Sequence, residues 1–358
     1  MTDAALPARQ RAPAAEPLWP RLRRGLFGSP VNTAITLVVI LFAVLILRPF
    51  LRWAVTDAVF VGTSQDCVAA GGACWAFIGA RLRFILFGLY PPAEQWAAAL
   101  TTLVLIACAA LTAIPRLWGR PLALLWAVTI VASLGLMGGF LRGSLVPSGV
   151  WGGLPLTLML TLGSLGGAFP IAVALALGRR SKRLVVRMLA IGFIELVRAV
   201  PMIAVFYVAM LLVPLMLPGG AGIDKLARIF GALTLFVSAY LAEIIRAGLQ
   251  AVPEGQSEAA RSLGLSQWAT LRLVVIPQAL RVVIPGMANL AIGILLNTTL
   301  VSVVGIMDLL NAARTSASDP NWLGYYDEAY LFVALIYFAL AFGGSRYSLW
   351  LERRIVRR

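Results

Sequence analysis

Charged side chains inside long apolar stretches are the first candidates for chemistry in this chain. Glu195 and Arg198 stand three residues apart in one apolar run, and Glu243 and Arg246 do so in another. Residues at this spacing share a helix face, so each pair can neutralise itself. An ionisable group within a membrane span is costly and is a site candidate by default. Two interpretations stay open: an ion pair that braces the helix, and contact with the carboxylate and ammonium groups of a solute. We assign Glu195 and Arg198 to a solute pathway and Glu243 and Arg246 to a structural ion pair.

A second candidate is the polar triplet Asn297, Thr298 and Thr299, in the middle of the apolar run 286–306. Amide and hydroxyl dipoles at such a position can receive a zwitterion or bridge neighbouring helices. We add these residues to the predicted solute pathway.

The residue types present weaken most enzymatic interpretations. The chain has no histidine, which removes histidine triads, histidine general bases and histidine metal ligands. Neither Lys182 nor Lys225 follows the glycine of a phosphate-binding loop, so the chain is not itself an ATPase. We therefore predict a non-catalytic protein with no metal site and no cofactor of its own.

The elements that must position these residues are membrane helices. Of the 358 residues, 60% are hydrophobic and 13% are charged, and the mean hydropathy is +0.89. A helix needs about 20 apolar residues to cross the hydrocarbon core. The sequence predicts an all-α membrane protein with about eight transmembrane helices, at 31–47, 95–114, 121–140, 154–177, 188–217, 227–245, 286–306 and 329–349.

The net charge of +15 reflects topology rather than nucleic-acid binding, because no basic helix or aromatic-interleaved basic patch lies outside the apolar runs. Most of the Lys and Arg residues fall in segments that are cytosolic if both termini are cytosolic. We predict a disordered cytosolic tail over 1–30, a three-helix extension with a periplasmic loop over 31–150, a core over 151–350 and a basic cytosolic tail over 351–358.

Cys67 and Cys74 lie in the predicted outer loop, and Cys108 lies in an apolar run. In an oxidising compartment the first two could form a disulfide. The other interpretation is two unpaired thiols in a loop without chemistry.

The most informative segment is the loop between the spans 227–245 and 286–306. Pro253 suits the first turn of a short helix, Gly264 suits its left-handed end, and Ser266 can cap a second helix that Pro277 would stop. The first helix contains Glu258, Ala259 and Ala260. The small side chains of the two alanines would let the groove of a partner protein close over the helix backbone.

This loop resembles the EAA loop of ABC-importer permeases, in which Glu-Ala-Ala precedes a glycine and a hydrophobic-x-hydrophobic-Pro end. The matching residues are Glu258, Ala259, Ala260, Gly264, Val274, Ile276 and Pro277. The segments FIELVRAVPM and AYLAEIIRAGLQAVPEGQ, together with IPQAL, resemble the permeases for polar amino acids, and the N-terminal extension resembles the M-type subunit of general L-amino acid importers.

The resemblance implies a permease in a bacterial inner membrane that forms half of a translocation pathway for L-amino acids. It implies four kinds of partner: membrane lipid, a second permease that is similar but distinct, a periplasmic amino-acid-binding protein, and a cytosolic ATPase dimer that binds ATP and Mg. Residues 247–285 would be the coupling loop, and its ATPase-coupling residues would be Glu254, Glu258, Ala259, Ala260, Gly264 and Pro277. Relatives commonly carry a lysine just before the Asn297 position, whereas this chain has Leu296, which suits a different substrate set or recognition by the partner permease.

Two other classes compete with this interpretation. An ion-coupled secondary amino acid transporter would need acidic residues deep within spans and usually an internal repeat. A membrane-embedded enzyme would need a catalytic constellation, but Asp308, Asp319 and Asp327 lie at or beyond span ends and form none.

Overall fold

A computed structural model describes residues 18–117, 119–140, 143–216 and 222–356. These residues form helices joined by turns and loops, with no β-strand among them, so the predicted all-α class is confirmed. The helices are α1 (Leu18–Phe27), α2 (Pro30–Leu51), α3 (Ser64–Ala70), α4 (Trp75–Phe87), α5 (Gln95–Leu111), α6 (Arg120–Gly138), α7 (Gly153–Arg179), α8 (Leu184–Ala199), α9 (Met202–Met216), α10 (Lys225–Ala251), α11 (Glu254–Ser262), α12 (Gln267–Thr270), α13 (Ile276–Asn297), α14 (Leu309–Ala317) and α15 (Tyr326–Val356).

The chain divides into two compact units, Met1–Ala76 and Phe77–Arg358. In the first unit, α2 begins with Ser29 as its N-cap and Pro30 in its first turn, a favourable start for a helix. The loop after α2 contains the short helix α3, and a disulfide joins Cys67 to Cys74, whose Cα atoms are 5.4 Å apart. The first unit therefore combines one apolar helix with a covalently closed loop.

The N-terminal segment differs from the prediction. We expected a disordered tail over 1–30, but residues 18–27 form α1, while residues 1–17 lie outside the described part of the chain. The prediction was wrong for α1 because it rested on the Pro, Ala and Arg content, which concealed apolar residues at helical spacing.

In the second unit α10 is central and packs against α7, α8 and α13. Ala168, Ala172 and Ala176 stand four apart on α7 and are fully buried. Such a stripe of small side chains lets two helices approach closely. Large side chains of α10 such as Leu233, Val237 and Leu241 fill the surrounding core.

Seven helices of the described chain are long and apolar enough to cross a membrane, or eight if one bent pair forms a single span. The single helix predicted over 188–217 is instead two helices, α8 and α9, which meet at an angle of 104°. Pro201 separates them and acts as the N-cap of α9. Proline disfavours the helical conformation of the residue before it, which accounts for the break at this position.

Candidate functional site

The loop between α10 and α13 projects a nine-residue helix, α11. This helix ends in a complete Schellman motif: the Leu265 N–H donates to the Ala260 carbonyl, and the Gly264 N–H donates to the Arg261 carbonyl. Gly264 has φ +79°, a conformation that only glycine adopts without strain. Ser266 then caps α12 by accepting a hydrogen bond from the Ala269 N–H. The local chemistry of these residues therefore fixes the helix-turn-helix that the sequence predicts.

One face of α11 packs on its own chain and the other is exposed. Ala260 is buried and α11 packs against residues 271–275, which corrects the expectation that its small side chain faces a partner. Glu254, Glu258 and Ala259 are exposed. Glu258 forms no ion pair with any other described residue.

Sequence reasoning missed three exposed apolar side chains in the same loop. Leu263 is 83% exposed, Trp268 63% and Leu273 62%. Several large exposed apolar side chains in one loop outside the spans favour a protein interface there. The available signal was the presence of large apolar residues in a loop that lies outside the spans.

The helix after this loop is continuous through Pro277, which corrects the prediction that this proline stops it. The preceding turn, Leu271–Val275, is π-helical, and the Ile276 N–H bonds back to the Leu271 carbonyl. Proline has no N–H to donate and its ring crowds the preceding turn. A widened turn just before Pro277 accommodates both effects.

Two contacts connect the loop to its flanking helices. The Gln278 side chain of α13 donates to Gln256 of α11 at 3.3 Å. On α10, Gly248 lies so close to α13 that a Cβ atom there would collide with the Val283 side chain and lie 2.9 Å from the Ala279 carbonyl oxygen. Because α10 and α13 cross with almost no space between them, a displacement of one must be followed by the other.

A cluster of charges joins three helices near this crossing. The Arg179 guanidinium at the end of α7 bonds to Glu243 of α10 at 2.7 Å and to Glu195 of α8 at 3.0 Å. Arg246 bonds to the other oxygen of Glu243 at 2.9 Å. Arg198 lies 3.9 Å from the same oxygen and stacks over the Tyr240 ring.

The two Glu–Arg pairs at i,i+3 spacing behave differently in the structure. Glu243 and Arg246 do form the ion pair at i,i+3. Glu195 pairs with Arg179 rather than with Arg198, so the local ion pair, one of the two interpretations left open for these residues, does not form on α8. Arg179 was missed because its partners are 16 and 64 residues away in sequence, beyond what helix periodicity reports.

An irregular turn of α9 is contacted by a cation from α10. Residues Val208–Leu212 of α9 form a π-helical turn, which leaves carbonyl groups without their usual partners. The Arg228 guanidinium of α10 donates to the Met210 carbonyl at 2.8 Å and to the Ala209 carbonyl at 3.3 Å. Discontinuous membrane helices are tolerated where other groups satisfy the freed backbone.

The predicted polar triplet lies where a helix changes type. α13 ends at Asn297, and residues Thr298–Val304 continue as a 3₁₀ helix to Gly305. Asn297 is exposed, whereas Thr298 is buried and donates to the Leu295 carbonyl. Thr299 is partly exposed and donates to the Leu296 carbonyl. Of the three residues, Asn297 is the most exposed.

A buried acid follows that 3₁₀ helix, beyond the span. The Asp308 carboxylate caps α14 by accepting the Leu310 and Asn311 N–H groups. Burial raises the pKa of Asp308 to about 7, although these backbone N–H groups oppose the shift. The described residues contain no group of three or more Cys, Asp and Glu side chains that could hold a metal ion.

A known protein family and its members resemble this chain in sequence. Residues 166–357 match the family described as "Binding-protein-dependent transport system inner membrane component". The "Inner membrane amino-acid ABC transporter permease protein YhdY" of Escherichia coli K12 is 41% identical over 93% of this chain and 92% of its own length. The "Glutamate/glutamine/aspartate/asparagine transport system permease protein BztC" of Rhodobacter capsulatus is 35% identical over 94% and 93%.

A solved structure extends the comparison to three dimensions. The structure described as an amino acid ABC transporter with histidines is 34% identical, with a TM-score of 0.50, over 56% of this chain and 90% of its own. The family match covers the loop, the charge cluster and the polar triplet together. The chain belongs to the family of inner membrane components of binding-protein-dependent transport systems.

Proposed function

We propose that this chain is the permease subunit of an ATP-driven importer of L-amino acids and that it forms half of the translocation pathway. The observation that carries this proposal is the helix α11, which exposes Glu254, Glu258 and Ala259 in a loop that also exposes large apolar side chains. The names of the relatives support amino acids as the substrates. They also favour this function over an ion-coupled secondary transporter.

The proposed partners are supported by the family to which the chain belongs. A cytosolic ATPase dimer binds ATP and Mg and receives α11, so this chain needs no cofactor of its own. A second permease, similar but distinct, completes the pathway, and a periplasmic binding protein delivers the amino acid. With eight spans, both termini lie on the same side of the membrane, and the excess of Lys and Arg in the segments on that side supports the cytosol.

In the proposed mechanism, closure of the ATPase dimer moves α11. The Gln256–Gln278 hydrogen bond and the Gly248 crossing carry that movement into α10 and α13. Because Glu243 of α10 is bonded to Arg179, α7 moves with them. The pathway then changes the side of the membrane to which it opens, as a two-state element biased by nucleotide.

We assign substrate contact to the Asn297 amide and to Arg198, with Glu195, Thr298 and Thr299 nearby in the pathway. Arg198 has its closest carboxylate at 3.9 Å, beyond good hydrogen-bond geometry. Its guanidinium is therefore the member of the charge cluster with the most capacity left for a substrate carboxylate.

Co-purification with the ATPase tests the coupling assignment. The variant Leu263→Asp/Trp268→Asp alters only exposed side chains, so we expect it to fold and to lose the ATPase. Leu323→Asp is the matched control, because Leu323 is 67% exposed and lies outside the coupling loop. Retention of the ATPase by the double variant would refute the assignment.

Uptake by the reconstituted complex tests the substrate assignment. ATPase activity is measured with the binding protein loaded with individual L-amino acids, and stimulation by some of them is expected. Asn297→Leu and Arg198→Ala should both lower uptake while the basal ATPase activity persists. Unchanged uptake in both variants would place recognition elsewhere.

A further inference from the structure

The helix α1 has two chemically different sides. Trp19, Leu22 and Leu26 are spaced three and four residues apart, so they share one side of the helix. All three are exposed, Trp19 at 76%. Arg23 lies at the flank of this apolar side and Arg24 lies opposite it, and the helix sequence contains three arginines and no acidic residue.

Side-chain hydrogen bonds attach α1 to the first turns of α2. The Thr36 hydroxyl donates to the Leu26 carbonyl at 2.8 Å, and the Asn32 amide donates to the Gly25 carbonyl at 3.2 Å. These bonds satisfy carbonyl groups at the end of α1 that no helical N–H can reach. The end of α1 is thereby held beside α2 instead of extending away from it.

The position of α1 follows from this attachment. α2 is a candidate membrane span that begins three residues after α1 ends, and only 6% of its most apolar window is buried within the protein. A span begins at the membrane boundary, so the end of α1 lies at the level of the lipid headgroups. At that depth an apolar side meets the acyl boundary and a basic side meets headgroups and water.

We propose that α1 is an interfacial helix that inserts Trp19, Leu22 and Leu26 into the bilayer surface and binds anionic phospholipid headgroups through its arginines. Charge complementarity selects anionic over zwitterionic lipid, because the helix carries only cationic side chains among its ionisable groups. Each arginine near an anionic surface changes the ratio of docked to undocked helix about fivefold.

Spin-label accessibility on the full-length protein in nanodiscs tests this proposal. Nitroxides are placed at Leu22→Cys or Arg23→Cys in a Cys108→Ala background. Collision rates with oxygen and with a water-soluble nickel chelate are then compared. With phosphatidylglycerol present, we expect the label at 22 to favour oxygen and the label at 23 to favour the chelate. Equal access of the chelate to both labels, or shielding of the label at 22 from both reagents by a protein surface, would overturn the proposal.

The lipid preference has its own matched control. Replacing phosphatidylglycerol by phosphatidylcholine, or introducing Arg23→Gln/Arg24→Gln, should reduce the docked fraction of the label at 22, by about 25-fold in the docking ratio for the double variant. The pair Arg180→Gln/Lys182→Gln removes the same charge outside α1 and should leave the label unchanged. Immersion of the label that depends on neither the lipid charge nor the α1 arginines would refute anionic-lipid binding.

Discussion

Arg179 and Arg198 both face Glu243, but they should differ in how strongly each is coupled to it. Arg179 lies 2.7 Å from one carboxylate oxygen and Arg198 lies 3.9 Å from the other. The side chains of Glu243 and Arg179 are 17% and 24% exposed, so solvent screens their interaction little. Arg198 is 37% exposed and beyond hydrogen-bond distance. We therefore expect the first pair to be strongly coupled and the second weakly coupled.

The magnitude follows from two bounds. Hydrogen bonds to charged groups contribute about 1.5–3 kcal/mol in proteins, while double-mutant cycles on polar contacts in a membrane protein average about 0.6 kcal/mol. A coupling energy of about 1–2 kcal/mol is expected for Arg179 with Glu243. For Arg198 with Glu243 the expected value is below about 0.5 kcal/mol, as for exposed ion pairs.

Two double-mutant cycles measure these values through Arg179→Gln, Arg198→Gln and Glu243→Gln, singly and combined. The free energy of unfolding of each variant is obtained from reversible denaturation by dodecyl sulfate in mixed micelles. A third cycle, on Glu195 and Arg198, should give a coupling near zero, because Glu195 pairs with Arg179 instead. The assignment is refuted if the Arg198–Glu243 coupling equals or exceeds that of Arg179–Glu243.

Three further predictions concern close approach, backbone conformation and pH. Gly248→Ala should destabilise the fold by about 1–3 kcal/mol through overpacking against α13, whereas Gly231→Ala on the same helix, with open space around it, should be neutral or stabilising in the same unfolding assay. Gly264→Ala should lower the free energy of unfolding by about 1 kcal/mol, because Gly264 has a positive φ, and should make the loop more sensitive to limited proteolysis. Gly255→Ala should do neither, because a Cβ atom there has no other atom within 4 Å. Burial raises the pKa of Asp308 from its ordinary 3.8 to about 7, so the folded state retains a proton that the unfolded chain releases. Stability should fall between pH 4 and 7 by at most about 4 kcal/mol, and Asp308→Asn, which keeps a capping side chain, should flatten that part of the pH–stability curve.

Local chemistry was predictable from the sequence. Ser266 and Gly264 act through hydrogen bonds and dihedral angles within a few residues of themselves, and both occupy the predicted positions. The fold class was also predictable from local sequence, because the apolar runs have the length that a helix needs to cross the bilayer.

Features that depend on distant partners or on helix irregularity were not predictable. Arg179 stands in a basic loop flank and shows its role only when α8 and α10 bring their carboxylates to it. Proline commonly ends a helix, but the π-helical turn before Pro277 accommodates its ring, so the helix continues through it. Pro201 does break its span, but the apolar composition of 188–217 hid that break.

The charge cluster and the glycine crossing together define what can move. Glu243 holds α7 to α10 by direct bonds, and Gly248, little more than one turn further along α10, holds α10 to α13 by steric fit. The coupling loop joins the ends of those same two helices, α10 and α13. A force applied to α11 therefore cannot shift α10 without carrying α13 by contact and α7 by charge. α8 packs on this group through the buried Ile194, but its polar attachments, the exposed Glu195 and the 3.9 Å contact of Arg198, are weaker than the bonds of Glu243. Relative motion within the second unit is accordingly expected between α8 and the α7–α10–α13 group, at the place where we propose that Arg198 exchanges its distant carboxylate for that of a substrate.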